Sequence, residues 1–322
     1  MNKVLEELGK IGIVPVIKID DVEKAVPLAR ALVAGGICCA EVTFRTAQGE
    51  ESIRRIAGEV PEILLGAGTV LTTDQVDRAV AAGAKFIVSP GLNPRVLSHC
   101  IDRGVPITPG CSNPSDIEQA LEAGLEVVKF FPAEQAGGLE YIKAVAAPYP
   151  NLKFMPTGGI NAGNIAKYIA FEKIHACGGS WMVGADLVNA GDFDRITALS
   201  REALRSLLGF QVVHLGINAG ESGAAMKGAG IFEALFGFAP KDGALSVFAG
   251  EGVEIMKQPG APGTHGHIAV ATNSVFRAAA FLERKGVAFN RDSVKTDARG
   301  AMTVIYLKDE ILGFAVHLVQ RK

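Results

Sequence analysis

One lysine of this sequence lies in a segment where a lysine is unexpected. Lys129 occurs in the run V127-V-K-F-F131, whose β-branched and aromatic residues predict a short strand. A strand of this composition is typical of a parallel sheet that is buried on both faces. Two interpretations are open: the ammonium reaches solvent while its stem lies on apolar surface, or the amine is desolvated and neutral. A neutral amine can add to a carbonyl carbon and form a covalent imine.

Other polar residues and glycines lie on or just after predicted strands, at the strand ends where the chemistry of a closed α/β barrel takes place. They supply a carboxylate, a guanidinium, a hydroxyl and two glycine-rich turns, at Glu41, Arg45, Thr69, Pro90, Thr157-Gly158-Gly159 and Gly178-Gly179-Ser180. Each also has a structural explanation. Glu41 could be a buried charge paired with Arg45, and the glycines could be ordinary turn residues. Their joint occurrence at strand ends favours an active site over separate structural roles.

The two glycine pairs indicate phosphate binding. Backbone N–H groups at glycines can converge on a phosphate, particularly where a helix begins. The loops after strands seven and eight are the common phosphate site of (β/α)8 barrels. The pairs in T157-G-G-I and G178-G-S-W follow the seventh and eighth predicted strands, so their position strengthens an otherwise weak signal.

The elements that must position these residues follow a repeated strand–helix rhythm from residue 11 to about residue 208. Aspartate, asparagine or threonine opens several predicted helices and glycine closes them, as at 20–35, 72–83 and 113–124. Eight such units predict an α/β fold of the (β/α)8 TIM-barrel type, with a doubly wound parallel sheet as the alternative. The predicted strands are 13–17, 39–44, 63–66, 85–88, 106–108, 127–131, 153–155 and 174–177.

The rhythm changes after Gly209, where two similar modules follow one another. Each module begins with a strand and a helix and continues with further strands, which indicates an internal duplication. The segment 258–266 between them is a loop by its composition. We therefore predict two domains, residues 1–210 and 211–322. The predicted elements of the second domain are strands 212–218, 245–248, 253–256, 267–273, near 287–289, 302–307 and 313–319, with helices 224–237 and 274–286.

Composition restricts the class of protein. The chain has 322 residues, 48% of them hydrophobic, and a formal net charge of −2, so nothing favours binding to nucleic acid or to an anionic membrane. No apolar run reaches the roughly 18 residues of a membrane span, and the first residues lack the pattern of a secretory signal. The cysteines number five, none in a C-x-x-C pair, which predicts reduced thiols in a cytoplasmic protein.

The first 210 residues resemble the 2-keto-3-deoxy-6-phosphogluconate / 2-keto-4-hydroxyglutarate aldolases. The resemblance implies a homotrimeric class I aldolase that needs no metal and acts on a small 2-keto acid. Phe44 in E-V-T-F-R stands where leucine is more usual, which is a conservative departure. The matching segments occur in the family's order and are P-V-I, L-V-A-G-G, E-V-T-F-R-T, G-A-G-T-V-L, S-P-G-L, K-F-F-P-A-E, P-T-G-G-I and G-G-S-W-M-V.

The same resemblance implies a role for each site residue. Lys129 would form the Schiff base and Glu41 would transfer protons. Products would be pyruvate and glyceraldehyde 3-phosphate from the phosphogluconate derivative, pyruvate and glyoxylate from 4-hydroxy-2-oxoglutarate, or both. The implied substrate-binding residues are Arg45 and Thr69 at the pyruvate end, Phe131 near the imine, Gly158, Gly159 and Ser180 in a phosphate pocket, and Pro90, Thr157 and Gly179 beside them.

The second domain resembles the vicinal-oxygen-chelate (glyoxalase-like) fold, a smaller α+β domain of paired βαβββ modules. The resemblance implies a divalent metal held by the first and last strands of each module, at His214, Glu254, His267 and His317. His317 stands where glutamate is usual, but imidazole also binds divalent metals. These residues could instead be half-buried strand residues that are hydrogen-bonded to neighbours. His265 is an alternative ligand beside His267.

Several functional alternatives stay open. The second domain could isomerise or epimerise a sugar acid, bind a ligand or stabilise an assembly, because a fold does not define one function. The first domain could be a phosphate-ligand-binding barrel, or an isomerase barrel that uses Glu41 as a base and Lys129 as a charge. Trapping an imine on Lys129 would separate an aldolase from both.

Overall fold

Two compact units make up the chain, and the structure, a computed structural model, describes residues 1–321. Unit 1 is Met1–Leu207, and unit 2 begins at Leu208. The change of sequence rhythm after Gly209 comes directly after this division. No helix among the described residues combines the length and the hydropathy needed to cross a membrane.

In unit 1, short strands alternate with helices along the described chain. Its strands are β1 Ile13–Ile17, β2 Cys39–Thr43, β3 Leu64–Gly68, β4 Phe86–Val88, β5 Ile107–Thr108, β6 Val127–Phe130, β7 Lys153–Pro156 and β8 Cys177–Gly179. Its helices are α1 Lys3–Ile11, α2 Ala25–Ala34, α3 Gly49–Glu59, α4 Thr73–Ala82, α5 Pro94–Asp102, α6 Pro114–Glu122, α7 Gly138–Ala146, α8 Ile165–Ile169, α9 Ala185–Ala190 and α10 Phe193–Leu208. Helix α1 lies before the predicted elements, and α9 and α10 follow the eighth strand, where the strand–helix rhythm predicts a helical segment.

The parallel strands of unit 1 form a curled half-barrel sheet. Six of them are hydrogen-bonded in the order β5-β4-β3-β2-β1-β8, and β6 pairs with β7. Isolated parallel bridges join the neighbouring segments, between Gly110 and Lys129, between Phe154 and Ile174, and between Thr157 and Gly178. The strand order of residues 1–207 does not reverse, so the alternative of a doubly wound sheet is wrong.

The helices of unit 1 begin and end at the capping residues visible in the sequence. Thr72 Oγ1 accepts a hydrogen bond from Gln75 N at 3.2 Å, and Asn113 Oδ1 accepts one from Asp116 N at 3.0 Å. Gly83, at a φ of 113°, ends α4 in the left-handed region. The predicted helices 72–83 and 113–124 are confirmed as α4 and α6.

One strand of unit 1 differs from its prediction. The apolar run 174–177 predicts the last strand, but β8 begins at Cys177 and continues through two glycines. The reason is its partner, because β1 pairs with β8 from Ile13 opposite Cys177 to Pro15 opposite Gly179. Glycines have low strand propensity, so sequence pattern alone does not favour a strand at Gly178 and Gly179.

Unit 2 repeats the order strand–helix–strand–strand–strand twice along residues 208–321. The first module comprises β9 Gln211–Asn218, α11 Ser222–Phe236, β10 Pro240–Asp242, β11 Ser246–Ala249 and β12 Val253–Met256. The second comprises β13 Gly266–Thr272, α12 Val275–Arg284, β14 Phe289–Thr296, β15 Met302–Leu307 and β16 Phe314–Gln320. Their strands form one sheet in the order β10-β11-β12-β9-β13-β16-β15-β14.

Packing in unit 2 places a helix of each module on the sheet. In the first module, Ala225 and Ala229 of α11 are fully buried with Val247, Ala249 and Ile255 of the strands. Small alanines allow the helix to approach the sheet closely, and burial of their neighbours stabilises the contact.

The two edge strands of unit 2 account for the main differences from the predicted elements. The short β10 was not predicted, and β14 runs from Phe289 to Thr296, well beyond the strand predicted near 287–289. Both are at an edge of the sheet and carry mostly polar residues. Edge strands are often polar, which removes the apolar alternation by which strands are recognised.

Candidate active site and candidate metal centre

The Lys129 amine and the Glu41 carboxylate are neighbours inside unit 1. Lys129 is the third residue of β6 and Glu41 is the third residue of β2, and Nζ lies 3.7 Å from Oε1. Only 6% of the Lys129 side chain and 1% of the Glu41 side chain are exposed, so the amine does not extend into solvent. Neither carboxylate oxygen has a hydrogen-bond partner within residues 1–321. This carboxylate can therefore still accept a proton or a hydrogen bond from a bound ligand.

Backbone pairing holds the lysine in place. Lys129 N donates to Pro109 O at 2.9 Å, and Cys111 N donates to Lys129 O at 2.8 Å. Lys129 is also opposite Met155 of β7. Because the strand is anchored on both sides, the direction of the Lys129 side chain is set by the sheet and not by a flexible loop.

Phe131 and Pro90 are both linked to this lysine. The ring centroid of Phe131 lies 5.1 Å from Lys129 Nζ. Pro90 follows β4, and a β-carbon on Gly110 would lie 2.0 Å from the Pro90 carbonyl oxygen. Gly110 in turn forms the isolated bridge with Lys129. The loop after β4 therefore packs against the segment that precedes β6, the strand that carries Lys129.

Thr69 and Arg45 follow β3 and β2 at the same strand ends. Thr69 has a φ of 57°, a conformation that is uncommon for residues other than glycine and that clusters at functional sites. Arg45 is exposed, and the basic group beside Glu41 is the Lys129 amine. The described chain contains no ion pair between Arg45 and Glu41. The Arg45 guanidinium can therefore bind an anion.

The turn after β7 is held by its carbonyl groups. Thr157 O accepts from Ala133 N at 2.8 Å, and Gly158 O accepts from Glu134 N at 3.1 Å. Both donors belong to the segment that follows β6. The turn is therefore attached to the strand that carries the lysine.

The same turn leaves the Gly159 amide available to a ligand. Gly158 and Gly159 have φ values of 101° and 78°. Gly159 O accepts from Asn164 Nδ2 at 3.0 Å and from Asn161 Nδ2 at 3.2 Å. Within the described residues the N–H group of Gly159 has no acceptor, whereas that of Gly158 lies on the bridge to Gly178. A free N–H group in such a turn can bind an anion.

The turn after β8 meets the turn after β7. Gly178 forms a bridge with Thr157, and a β-carbon on Gly178 would lie 2.3 Å from Thr157 Oγ1. A β-carbon on Gly179 would lie 2.0 Å from the Trp181 ring. Glycine is therefore required at both positions for close approach. Ser180, which follows them, is exposed and can donate its hydroxyl to a ligand.

Sequence reasoning missed the side chains that support the first turn. Asn161 and Asn164, spaced by three residues directly after the glycine pair, were a detectable signal for a turn-holding pair. Glu134 accepts a hydrogen bond from the Tyr168 hydroxyl across 34 residues of sequence. No local pattern connects these last two residues, so only the folded chain reveals their contact.

In unit 2, the residues predicted as metal ligands lie on one face of the sheet. Glu254 of β12 and His267 of β13 flank the same residue of β9. His214 of β9 and His317 of β16 flank the same residue of β13. Directly opposed residues share a face, and the two rows are adjacent, so all four side chains converge.

The distances between the four side chains suit a metal. Nε2 of His214 and Nε2 of His267 are 3.3 Å apart, and Oε2 of Glu254 lies 3.1 Å from each. Ligand atoms of His214, His267 and His317 all lie within 4.8 Å of one another. In a tetrahedral site with bonds of about 2.0–2.1 Å, neighbouring donor atoms are about 3.3 Å apart. The residues present therefore fit a divalent cation.

Unpartnered nitrogens provide a second test of this fit. Both ring nitrogens of His317 and Nδ1 of His267 are buried without a hydrogen-bond partner among residues 1–321. Burial, together with the nearby His267 and His214, lowers the pKa of His317 to about 4, so its ring is neutral at neutral pH. A neutral buried imidazole with no partner is costly, and a cation would supply the missing partner.

The carboxylate of the cluster is ionised. Burial alone would raise the pKa of Glu254, but hydrogen bonds from His214, His267 and Ser246 outweigh it and hold the pKa well below its usual range. The Ser246 hydroxyl donates to Glu254 Oε1 at 2.6 Å, which leaves Oε2 directed at the histidines. Three imidazoles and one carboxylate are a suitable set for a divalent transition metal.

Aromatic rings enclose the cluster. The Tyr306 ring stacks on His317 with centroids 4.5 Å apart, and Phe248 packs edge-on against His214 at 5.5 Å. Neither ring was among the predicted site residues. His265, the alternative ligand, is outside the group of three histidines and packs against Phe314 at 5.8 Å.

Comparison with known proteins gives matches for unit 1. The family model described as KDPG and KHG aldolase matches residues 4–199. A 2-dehydro-3-deoxy-phosphogluconate aldolase of Treponema pallidum is 53% identical over 205 residues, which cover 64% of this chain and 98% of that protein. A KHG/KDPG aldolase of Escherichia coli is 46% identical over 192 residues, which cover 60% of this chain and 90% of that protein.

A solved structure gives the same result at the level of the fold. The KDPG aldolase of Legionella pneumophila, which holds pyruvate as a covalent carbinolamine, has a TM-score of 0.60 and 37% identity. The match covers 62% of this chain and 97% of that one. The family match spans more than half of the chain and contains both Lys129 and Glu41. The protein therefore belongs to the KDPG and KHG aldolase family and is a lyase of the aldolase type.

Proposed function

We propose that unit 1 is a class I aldolase that cleaves 2-keto-3-deoxy-6-phosphogluconate to pyruvate and glyceraldehyde 3-phosphate. The observation that carries the proposal is the buried Lys129 amine, 3.7 Å from the Glu41 carboxylate. The names of the relatives and the covalent pyruvate of the Legionella pneumophila enzyme support the same chemistry. A phosphate-binding barrel would need neither a buried amine nor an unpartnered carboxylate beside it.

Lys129 supplies the nucleophile in this mechanism. Its neutral amine adds to the C2 ketone, and loss of water leaves an iminium between Nζ and C2. Glu41, the neighbouring buried carboxylate, is positioned to accept and return the protons of this addition. The Phe131 ring, whose centroid lies 5.1 Å from Nζ, would line one side of the imine.

The positive iminium then draws the electrons of the C3–C4 bond. Glu41, directly or through a water, removes the proton of the C4 hydroxyl, and the C3–C4 bond breaks to release the aldehyde. The enamine of pyruvate that remains on Lys129 is protonated at C3. Addition of water to the resulting imine releases pyruvate and restores the free amine.

Binding groups for the two ends of the substrate are found on neighbouring loops. The exposed Arg45 guanidinium and the Thr69 hydroxyl would hold the keto-acid carboxylate. The free amide of Gly159, with Gly158 and Ser180 beside it, would hold the phosphate. These roles follow the family resemblance, and the exposure and hydrogen bonding of each residue support them.

A second substrate, 4-hydroxy-2-oxoglutarate, would use the same lysine and give pyruvate and glyoxylate. The family description and the Escherichia coli relative name this activity together with the first. This substrate has a carboxylate in place of the phosphate, so it would make fewer contacts with the glycine turns. We therefore expect it to bind more weakly than the phosphorylated substrate.

Trapping the imine tests the proposal directly. Full-length protein is incubated with pyruvate and reduced with borohydride, and the peptide that contains Lys129 is analysed by mass spectrometry. We expect one reduced pyruvate adduct on Lys129, none on Lys153 of the neighbouring strand β7, and none in the Lys129→Met variant. An unmodified Lys129 in a protein that still cleaves the substrate would reject the mechanism.

The finer architecture is part of the same proposal. We propose that residues 1–210 form a closed (β/α)8 barrel, which the isolated bridges on both sides of the β6–β7 pair support. We also propose a homotrimer, which rests on the family resemblance alone. Light scattering of the purified protein would measure the oligomeric state, and a monomer would remove this part of the proposal.

For residues 211–322 we propose a vicinal-oxygen-chelate domain that binds one divalent metal. The two strand–helix–three-strand modules and the four converging side chains support this assignment. His214, Glu254, His267 and His317 would hold the cation, which when bound would polarise a substrate oxygen. Ser246 would orient Glu254, and Tyr306 and Phe248 would enclose the substrate. An isomerase or epimerase of sugar acids, or a ligand-binding site, would use such an arrangement.

Metal analysis tests the second domain. Protein purified after growth with supplemented divalent metals is analysed for its metal content. We expect about one metal per chain, because one tetrahedral donor set is present. His214→Ala should lose the metal, and His265→Ala, outside the cluster, should keep it. Absence of stoichiometric metal from the wild-type protein would contradict the assignment.

A further inference from the structure

The side chains of Glu134 and Tyr168 connect the segment after β6 with helix α8. The Tyr168 hydroxyl donates a hydrogen bond to Glu134 Oε1. Tyr168 is 2% exposed, so its ring is fixed by the core of unit 1. Burial and the Glu134 carboxylate raise the pKa of Tyr168 above its ordinary value, so the hydroxyl keeps its proton and remains a donor. The catalytic scheme above uses neither residue.

Glu134 also packs against the turn formed by Gly158 and Gly159. A β-carbon on Gly159 would lie 2.5 Å from Glu134 Cγ and 2.6 Å from its Cβ. Glu134 N donates to Gly158 O, on the same turn. The side chain and the backbone of Glu134 therefore both contact the pair of glycines that includes the free Gly159 amide. Movement of Glu134 would move that amide.

Because Glu134 carries a carboxylate, the position of this group relative to a bound phosphate affects phosphate binding. An ionised carboxylate close to a bound phosphate would repel it, and a residue with an exposed carboxylate can adopt several rotamers. The Tyr168 hydroxyl is a fixed donor that selects one of these rotamers. Gly138 leaves room for the pair, because a β-carbon there would lie 3.2 Å from the Tyr168 hydroxyl and 3.3 Å from Glu134 Oε1.

We propose that Tyr168 and Glu134 are positioning residues for phosphate recognition: Tyr168 holds the Glu134 side chain against Gly159, which presents the Gly159 amide to the phosphate and keeps the carboxylate away from it. The inference rests on the proposed function, because it assigns the phosphate to this turn. It concerns binding of the phosphorylated end and leaves the chemistry at Lys129 unchanged. The pair thereby contributes to selection of phosphorylated over unphosphorylated keto acids.

Kinetics with the phosphorylated substrate provide the first test. In Tyr168→Phe the hydroxyl is lost and the ring is kept, so the core remains filled. We expect KM for 2-keto-3-deoxy-6-phosphogluconate to rise about tenfold, the usual worth of a hydrogen bond to a charged group. The value of kcat and the rate of pyruvate trapping on Lys129 should stay close to wild type. Tyr149→Phe, which removes another tyrosine hydroxyl that donates to a glutamate, at Glu118, is the matched control.

Variants of Glu134 separate positioning from a general loss of structure. Glu134→Gln keeps an oxygen that can accept from Tyr168, so its KM should stay close to wild type. Glu134→Ala loses the contact and should behave like Tyr168→Phe. The double variant Glu134→Ala/Tyr168→Phe should have a KM no higher than that of either single variant, because each single change already removes the same interaction. An unchanged KM in Tyr168→Phe would overturn the inference. A loss in the rate of pyruvate trapping on Lys129 as large as the loss in substrate binding would also overturn it.

Phosphate binding is also measured without catalysis. Titration of inorganic phosphate, followed by phosphorus NMR, should show about tenfold weaker binding to Tyr168→Phe than to wild type, in line with the lost hydrogen bond. Equal affinities would overturn the inference even if the protein is an aldolase. If wild-type protein fails to trap pyruvate but the phosphate affinities differ as expected, the proposed function fails and the positioning role stands.

Discussion

Gly68 lies directly against the Glu41 carboxylate: a β-carbon on this glycine would stand 2.0 Å from Oε1 and 2.6 Å from Cδ. Both residues are on neighbouring strands, β3 and β2, and both are buried. Glu41 therefore reaches toward Lys129 across a space that exists only because residue 68 has no side chain. Gly68 contributes to the site because its missing side chain leaves space for the Glu41 carboxylate.

The first prediction concerns that space. In Gly68→Ala the new methyl group would displace the Glu41 carboxylate from Lys129, and we expect turnover to fall by about 10² or more, as when acid–base help is lost. Gly58→Ala is the control, because Gly58 is helical with nothing within 4 Å of its β-carbon position. Steady-state kinetics, with circular dichroism to check folding, measures both. Full activity of Gly68→Ala would contradict the role assigned to the Glu41 position.

The second prediction concerns the carboxylate itself. Glu41→Gln keeps the size of the side chain and removes its capacity to take a proton, so turnover should fall by roughly 10²–10⁴. Buried Lys129 would also lose its neighbouring negative charge. Single-turnover measurement of substrate cleavage checks the effect, and Asp20→Asn, a change at an exposed carboxylate paired with Lys18, should leave the rate unchanged. A rate within threefold of wild type would exclude Glu41 as the proton-transfer group; this threshold is about 0.7 kcal/mol in barrier height.

The third prediction concerns stability and metal. A cation that binds only folded unit 2 raises its free energy of unfolding by about 2.7 kcal/mol when its free concentration is 100 times the dissociation constant. Thermal unfolding should therefore occur at a higher temperature with zinc than after treatment with a chelator. The difference should vanish in His317→Ala, which removes a buried imidazole of the proposed site. The same difference in the variant and in the wild-type protein would place the zinc elsewhere.

The fourth prediction concerns two buried thiols of unit 1. Burial, with a smaller effect of Asp77 on Cys100 and of Asp116 on Cys111, raises the pKa of each thiol to about 12. Thiolates are the reactive form, so neither cysteine should be alkylated by iodoacetamide at pH 8 in the folded protein. Peptide mass spectrometry measures this, with urea-unfolded protein as the positive control. Rapid alkylation of either residue in the folded state would be incompatible with its burial.

The raised pKa values of the same two thiols predict how the free energy of unfolding changes with pH. Their folded pKa is higher than the unfolded value of about 8.5, so the folded state holds protons that the unfolded state releases. Their contribution to stability is therefore complete below about pH 8.5 and decreases as the pH rises toward 12. Urea denaturation at pH 8 and at pH 10 measures it, and Cys100→Ala should show a smaller decrease than wild type.

Much of unit 1 could be predicted because its signals are local. Buried strands are short apolar runs, and helices open at residues such as Thr72 and close at Gly83. The order of these elements was sufficient to expect a parallel sheet with polar residues at strand ends. The edge strand β14 shows the limit of this reasoning, since its polar residues pair with only one neighbour and carry no apolar alternation.

By itself, the sequence determined the residue types for the chemistry: an amine and a carboxylate on buried strands, glycine pairs after two more strands, and imidazoles at matching places of two modules. Only the tertiary structure decided which of them meet. The 3.7 Å approach of Lys129 to Glu41 and the bond between Tyr168 and Glu134 depend on strand pairing and packing between distant segments. Such contacts leave no local trace, because register and side-chain direction are set by the whole sheet.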